Sequence, residues 1–256
     1  MKTLGRVVAF LVVLSPFVAF AADDKPHPEL DAKTFEIMKK LGALHKDAKM
    51  MRTEAVVETT IDKSEEEKRE IKLKVTIDLE RPNKFAYRGR SEKDETAGIE
   101  VISDGTNLVI IRMKDKKYTE AKSPKQLDRI GEVLQRLGQS GSCMLFQNVL
   151  AKDPLELLLE GVTKGEHAGM EKVNGKECHH LKFEQENQDW ELWVAAEGKP
   201  FVLKAKSVIS FGELKISTIE TYTNWKVDVE PAKDAFVFKA PEGAKKVKSF
   251  NEDDDQ

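Results

Sequence analysis

Cys178, His179 and His180 are the residues whose types and spacing first suggest chemistry. A thiol two residues from an imidazole is the start of a nucleophile pair, because a neighbouring base raises the thiolate fraction. Two consecutive imidazoles suggest a metal, but successive side chains on a strand point to opposite faces, so one strand cannot aim both at a single ion. A zinc site would have to draw ligands from elsewhere, and His27, His45 and His167 are the other histidines. Packing accounts for the same residues: one histidine with Leu181 and Phe183, and His180 beside Cys178 on the opposite face. The spacing favours packing, and neither a metal ligand set nor a catalytic set is expected.

Trp190, Trp193, Tyr222 and Trp225 form an aromatic group late in the chain. On a strand, Trp190, Leu192 and Val194 share one face, while Trp193 shares the other with Glu191. Cross-strand core packing explains such a group, and so does a greasy wall for an acyl chain. Met50-Met51 adds a pliable apolar pair. The run Glu65-Glu66-Glu67-Lys68-Arg69 reads as a solvated turn. No Walker loop, dinucleotide-binding glycine set, HExxH or GxSxG is present, and the Gly-Gln-Ser-Gly of 138–141 has the wrong spacing for a nucleophile elbow. No cofactor is implied.

Composition narrows the function classes further. The 256 residues are 40% hydrophobic and 34% charged, with 15 Gly and 9 Pro, which excludes a membrane bundle, a collagenous repeat and a wholly disordered chain. The 42 basic and 45 acidic residues give a net charge of −3, without the basic excess that drives nucleic-acid binding.

Met1 to Ala21 has the pattern of a secretory signal: Lys2 and Arg6, an apolar stretch from Val7, and small residues at Ala19 and Ala21 where cleavage is expected. The apolar stretch is interrupted by Ser15-Pro16 and is shorter than a membrane span requires, so no stable span is expected after cleavage. Losing Lys2 and Arg6 takes the net charge from −3 to −5. In an oxidising compartment Cys143 and Cys178 are candidates for a disulfide. Such a bridge closes a loop of about 35 residues and contributes about 3 to 4 kcal/mol by chain entropy. Two unpaired buried thiols are the alternative.

The elements that position these residues follow from periodicity. Leu30, Ile37, Leu41, Leu44 and Ala48 recur at helical spacing, which predicts an amphipathic helix over about 28–48. In Ile71-Lys72-Leu73-Lys74-Val75-Thr76-Ile77-Asp78-Leu79-Glu80 the apolar residues alternate with polar ones, a strand with one dry face. Ala55, Val57 and Ile61 give a weaker strand before it, and the charged run 62–70 makes the turn. Further strands are expected at about 84–90, 98–103, 106–113 and 117–121, with Asp104-Gly105 as a turn and Leu108 to Ile111 covered on both faces. Ser123-Pro124 and the stripe Leu127, Ile130, Leu134, Leu137 predict a helix ending near Gly138, followed by helical pieces at 142–150 and 154–161. Strands resume at about 176–186, 189–195, 199–210, 213–225 and 235–239. Residues 22–250 read as one domain and 251–256 as a disordered acidic tail.

A long sheet with one dry face needs a cover, and these helices are too few to cap ten or eleven strands. The sheet is therefore expected to curl into an α+β half-barrel with the helices in its concave face and an apolar hollow between. The candidate lining is Leu73, Val75, Ile77 and Leu79 with Trp190, Leu192 and Tyr222.

Three stretches carry a family resemblance: Glu80-Arg81-Pro82-Asn83-Lys84-Phe85, Ile102-Ser103-Asp104-Gly105-Thr106-Asn107-Leu108, and Lys117-Tyr118. They are similar to motifs of the Lol-type outer-membrane lipoprotein carriers. Val173 to Leu181, Asp189 to Val194, Asn224-Trp225 and Phe236 to Ala244 resemble more closely a family of predicted periplasmic proteins of unknown function in the same superfamily. The resemblance implies a curved antiparallel half-barrel, a periplasmic location, and a hydrophobic ligand such as a lipid or lipid-modified protein. It also admits a second role, an envelope sensor or interaction module that binds another cell-envelope protein. An exported hydrolase using His180 or Cys178 is the least supported reading, since no complete constellation is visible.

Overall fold

The computed structural model describes residues 29–63, 67–94, 96–129, 151 and 153–250. The expected leader, the helical stretches expected beyond residue 129 and at 142–150, Cys143 and the acidic residues 251–256 lie outside the described residues.

Two two-residue strands and eleven long ones form a single sheet. In chain order they are β1 (Glu29–Leu30), β2 (Met50–Asp62), β3 (Lys68–Glu80), β4 (Lys84–Ser91), β5 (Gly98–Asp104), β6 (Asn107–Arg112), β7 (Lys117–Lys122), β8 (Val162–Val173), β9 (Lys176–Gln185), β10 (Gln188–Ala195), β11 (Val202–Phe211), β12 (Leu214–Val227) and β13 (Lys245–Lys246). Their spatial order is β1-β8-β9-β10-β11-β12-β2-β3-β4-β5-β6-β7-β13. The sheet is open and curved, as the sequence predicts. It is antiparallel apart from its two edges, where β1 runs parallel to β8 and β13 parallel to β7.

The hairpin of β2 and β3 is in register from Met50↔Glu80 to Asp62↔Lys68, so the charged run does turn the chain, but over fewer residues than 62–70. One face of each strand points inward: Met51, Ala55 and Val57 on β2, and Val75, Ile77 and Leu79 on β3, all join one core cluster with Phe85, Tyr87, Leu108, Ile110, Leu181 and Phe183.

The helix α1 (Ala32–Asp47) starts where Asp31 caps it, its carboxylate accepting from the Thr34 amide at 2.9 Å and the Thr34 hydroxyl at 2.7 Å. Its Ile37, Met38 and Leu41 enter the inner core. A short helix α2 (Pro154–Leu159) begins at Asp153 as expected and packs against α1 through Leu155 at Gly42. The segment expected to open a helix at Ser123 contains instead a single 3-10 turn, Leu127–Arg129, within the described residues. Among the described residues no helix is long and apolar enough to cross a membrane.

Two expectations are corrected. Val162–Val173 forms a full strand that its sequence does not announce. The strand expected at 235–239 is a turn segment, with the Ala235 amide donating to the Ala232 carbonyl at 2.8 Å. Its alternating Phe236 and Phe238 find no ladder, because the edge of β7 is already paired with β13. The segment lies instead across the outer face, where Phe238 packs on Tyr118 (centroids 5.3 Å apart) and the Arg88 guanidinium donates to the Ala235 carbonyl at 2.7 Å. It helps cover the outer side of Val109, a buried residue in the stretch expected to be enclosed on both faces.

Candidate functional site

The inner face changes character along the strands. At one end α1 crosses it. The helix begins beside β8, where the Asp31 amide donates to the Gly165 carbonyl, and ends where His45 stacks on Trp225 and its carbonyl accepts from Arg81. Beneath it the sheet is fully closed: Val75, Ile77, Leu79, Trp190, Leu192 and Tyr222 are buried, and Trp190 stacks on Phe183 with centroids 3.9 Å apart. Of the seven residues expected to line a hollow, Leu73 alone is half-exposed. All seven share the inner face, but six of them are core.

Toward the far end of β11, β12, β2 and β3 the described residues cover the inner face less completely. Ile209, Ile216 and Ile61 are direct partners across β11, β12 and β2, and all three are half-buried. The next row carries Thr218, Thr59 and Ile71, with the two threonine hydroxyls 3.3 Å apart. One row deeper stand Glu220, Val57 and Leu73. Glu220 is only 1% exposed and its carboxylate accepts a short hydrogen bond from the Tyr222 hydroxyl, the boundary between the open patch and the closed core. A floor of isoleucines interrupted by two threonines, with one buried acidic group at its inner margin, offers apolar surface to a ligand body, which gains about 25 cal/mol per Å² of apolar area buried. Sequence reasoning did not single out Ile209, Ile216 or Glu220. Their signal was the series Ile216, Thr218, Glu220, Tyr222, in which a glutamate occupies an inward position.

The histidines divide between the faces as the strand alternation requires. His180 lies on the outer face, stacked on Trp193 at 4.3 Å, with Nδ1 3.0 Å from Glu171 and Nε2 2.6 Å from Glu191. Glu171 also accepts from the Trp193 indole at 2.8 Å, and Glu191 from Lys206 at 2.8 Å. Both His180 nitrogens are thus occupied by carboxylates rather than by Cys178. The Cys178 thiol is buried, has no disulfide partner among the described residues and lies 3.5 Å from the Lys176 carbonyl, and burial pushes its pKa up, opposite to what a nucleophile needs. Its expected partner Cys143 lies outside the described residues. His179 faces inward with Leu181 and Phe183, at the rim beside α1, where it meets His167 of β8. The aromatic group of the sequence splits likewise. Trp190 is inside and Trp193 outside, while Trp225 stacks on Phe201 (5.3 Å) and tilts against Tyr222 (5.6 Å).

A shallow groove of about 460 Å³ lies on the outer face between Val109 and Tyr118 and the segment 236–240, separate from the inner patch.

Solved structures that align with the chain include the Mycobacterium tuberculosis lipoprotein LppX (17% identity, TM-score 0.47, covering 78% of this chain and 98% of that one). An uncharacterized conserved protein from Thermus thermophilus aligns at 10% identity and TM-score 0.46, over 84% of this chain and 99% of the other. A chain of the Pseudomonas aeruginosa MucA/MucB complex aligns at 15% identity and TM-score 0.44, over 82% of this chain and 62% of the other. No curated protein matches the chain. The model of the family described as predicted periplasmic protein (DUF2092) matches residues 34–249, from the first turn of α1 to beyond β13, and the chain belongs to that family.

Proposed function

We propose that this chain is an exported, periplasmic binding or carrier protein for a hydrophobic ligand, a lipid or the acyl chain of a lipid-modified protein. The observation that carries the reading is the row Ile209–Ile216–Ile61 with Ile71 and Leu73, half-buried on the inner face of a curved sheet whose other end is sealed by α1. Isoleucine is among the residues most often fully buried, and a contiguous inward patch of it left part-open is the kind of surface that a ligand or partner covers. Affinity in this reading comes from apolar burial, with few polar contacts needed. Release follows a shift of the inner helices, after which an envelope partner takes the ligand.

Native mass spectrometry of protein purified without denaturant tests this directly. The expected spectrum shows adducts in the mass range of membrane lipids, and the purified protein takes up a fluorescent fatty acid that added lipid displaces. A clean apo mass together with no fatty-acid uptake would overturn the proposal.

A further inference from the structure

His167 and His179 meet at the rim of the inner face with Nε2 of one 3.1 Å from Nδ1 of the other. They come from adjacent strands. In the β8–β9 pairing His167 opposes Leu181 and Gly169 opposes His180, so Ala168 is an extra residue on β8. A bulge of this kind re-aims the side chains beside it. Here it brings the His167 ring diagonally against His179, with the ring planes at 62°. Both rings are half-exposed, so an ion can reach them from solvent.

From this geometry we propose that His167 and His179 form a two-histidine site for a borderline transition-metal ion, copper(II) or zinc(II). Two imidazole nitrogens bound to one ion at about 2.0–2.1 Å stand about 2.9 Å apart at a right angle and about 3.3 Å apart at the tetrahedral angle. The observed 3.1 Å falls between these values. In the metal-free pair one ring donates its proton to the other. On binding, that proton is carried by the far nitrogen of its own ring, both facing nitrogens become ligands, and no net proton is released.

The surroundings limit the affinity. Asp31 lies beside His167, but its carboxylate is committed to the Thr34 amide and hydroxyl and to the His167 amide at 2.7 Å. No group of three or more His, Cys, Asp or Glu converges among the described residues. Solvent, or a donor from another molecule, fills the remaining positions. Lys33 and Lys40 of α1 repel a cation. The site is independent of the apolar patch and stands or falls without it.

The test is titration of the tag-free mature chain with copper(II) and with zinc(II) by calorimetry, and electron paramagnetic resonance of the copper form. One ion should bind per chain, with hyperfine coupling to two imidazole nitrogens. His167→Gln and His179→Gln should each weaken binding about tenfold or more and leave one coupled nitrogen. Lys33→Gln should strengthen it, and His27→Ala should change nothing. Zinc should raise the melting temperature of the parent chain but not of either glutamine variant, each first shown to melt cooperatively without metal. Unaltered affinity and nitrogen count in both glutamine variants would overturn the assignment, as would loss of binding in His27→Ala.

Discussion

A Cβ atom placed on Gly42 would stand 2.8 Å from the Cβ of Leu155, with the Leu155 amide nitrogen at 3.3 Å. This contact fixes how closely α1 and α2 approach, since a glycine inside a helix is otherwise a cost of about 1 kcal/mol relative to alanine. Gly42→Ala should therefore destabilise despite its better helix propensity, by about 1–3 kcal/mol as an overpacked site does. Thermal melting decides it: an unchanged or higher melting temperature would mean that α2 yields freely.

His45 sets an acid limit on the same helix. It is fully buried, and neither ring nitrogen has a hydrogen-bond partner among the described residues. Burial, assisted by the charge of Arg81, lowers its pKa from 6.5 to about 4. Above pH 6.5 the ring is neutral folded and unfolded, so it contributes no pH dependence. Between 6.5 and about 4 the unfolded chain takes up a proton that the fold refuses, and stability falls with pH. The loss reaches roughly 3 kcal/mol once both forms are protonated. Chemical denaturation across this window should show that slope in the parent chain and a flatter one in His45→Leu.

A second acid response lies lower and on the outer face. Burial alone would raise the pKa of Glu191, but hydrogen bonds from Lys206 and His180 outweigh it and hold the carboxyl below its usual range. The Trp193 indole does the same for Glu171. A depressed carboxyl contributes stability above its unfolded value and loses it as pH falls through the folded one. Glu191→Gln should thus reduce the loss of stability below about pH 4.5. A loss below that pH as steep as the parent's would overturn this reading.

Alternation made the long hairpin and the inward set of β3 legible, because Ile71 to Glu80 obeys the period of two without a break. The strand β8 was hidden for a physical reason. Its inward position Gly165 must be small, since a Cβ there would lie 2.4 Å from Leu30 and 2.8 Å from Phe183, and the bulge near His167 breaks the period. Without β8 the meeting of His167 with His179 could not be read either. In 235–239 the opposite happened: the apolar alternation is real, but it serves packing on an outer face and not a ladder. Alternation also told which side chains face inward without telling which are covered. Cover depends on where α1 crosses, and so Val75 and Leu79 became core while Leu73 did not.

The proposed ligand surface is tested most sharply where it is open. Leu73 and Ile216 are half-buried on the inner face, in the part-open region beyond α1, so a charged side chain at either can reach water without emptying the core. Leu73→Arg and Ile216→Arg should each melt within a few degrees of the parent. Each should also lose most of the co-purified lipid and weaken fatty-acid uptake about tenfold, the effect of placing a cation against an acyl chain. Val75→Arg, which buries its charge beneath α1, should instead fail to fold. Retention of lipid by both open-end variants would move the ligand away from this patch, whatever its identity.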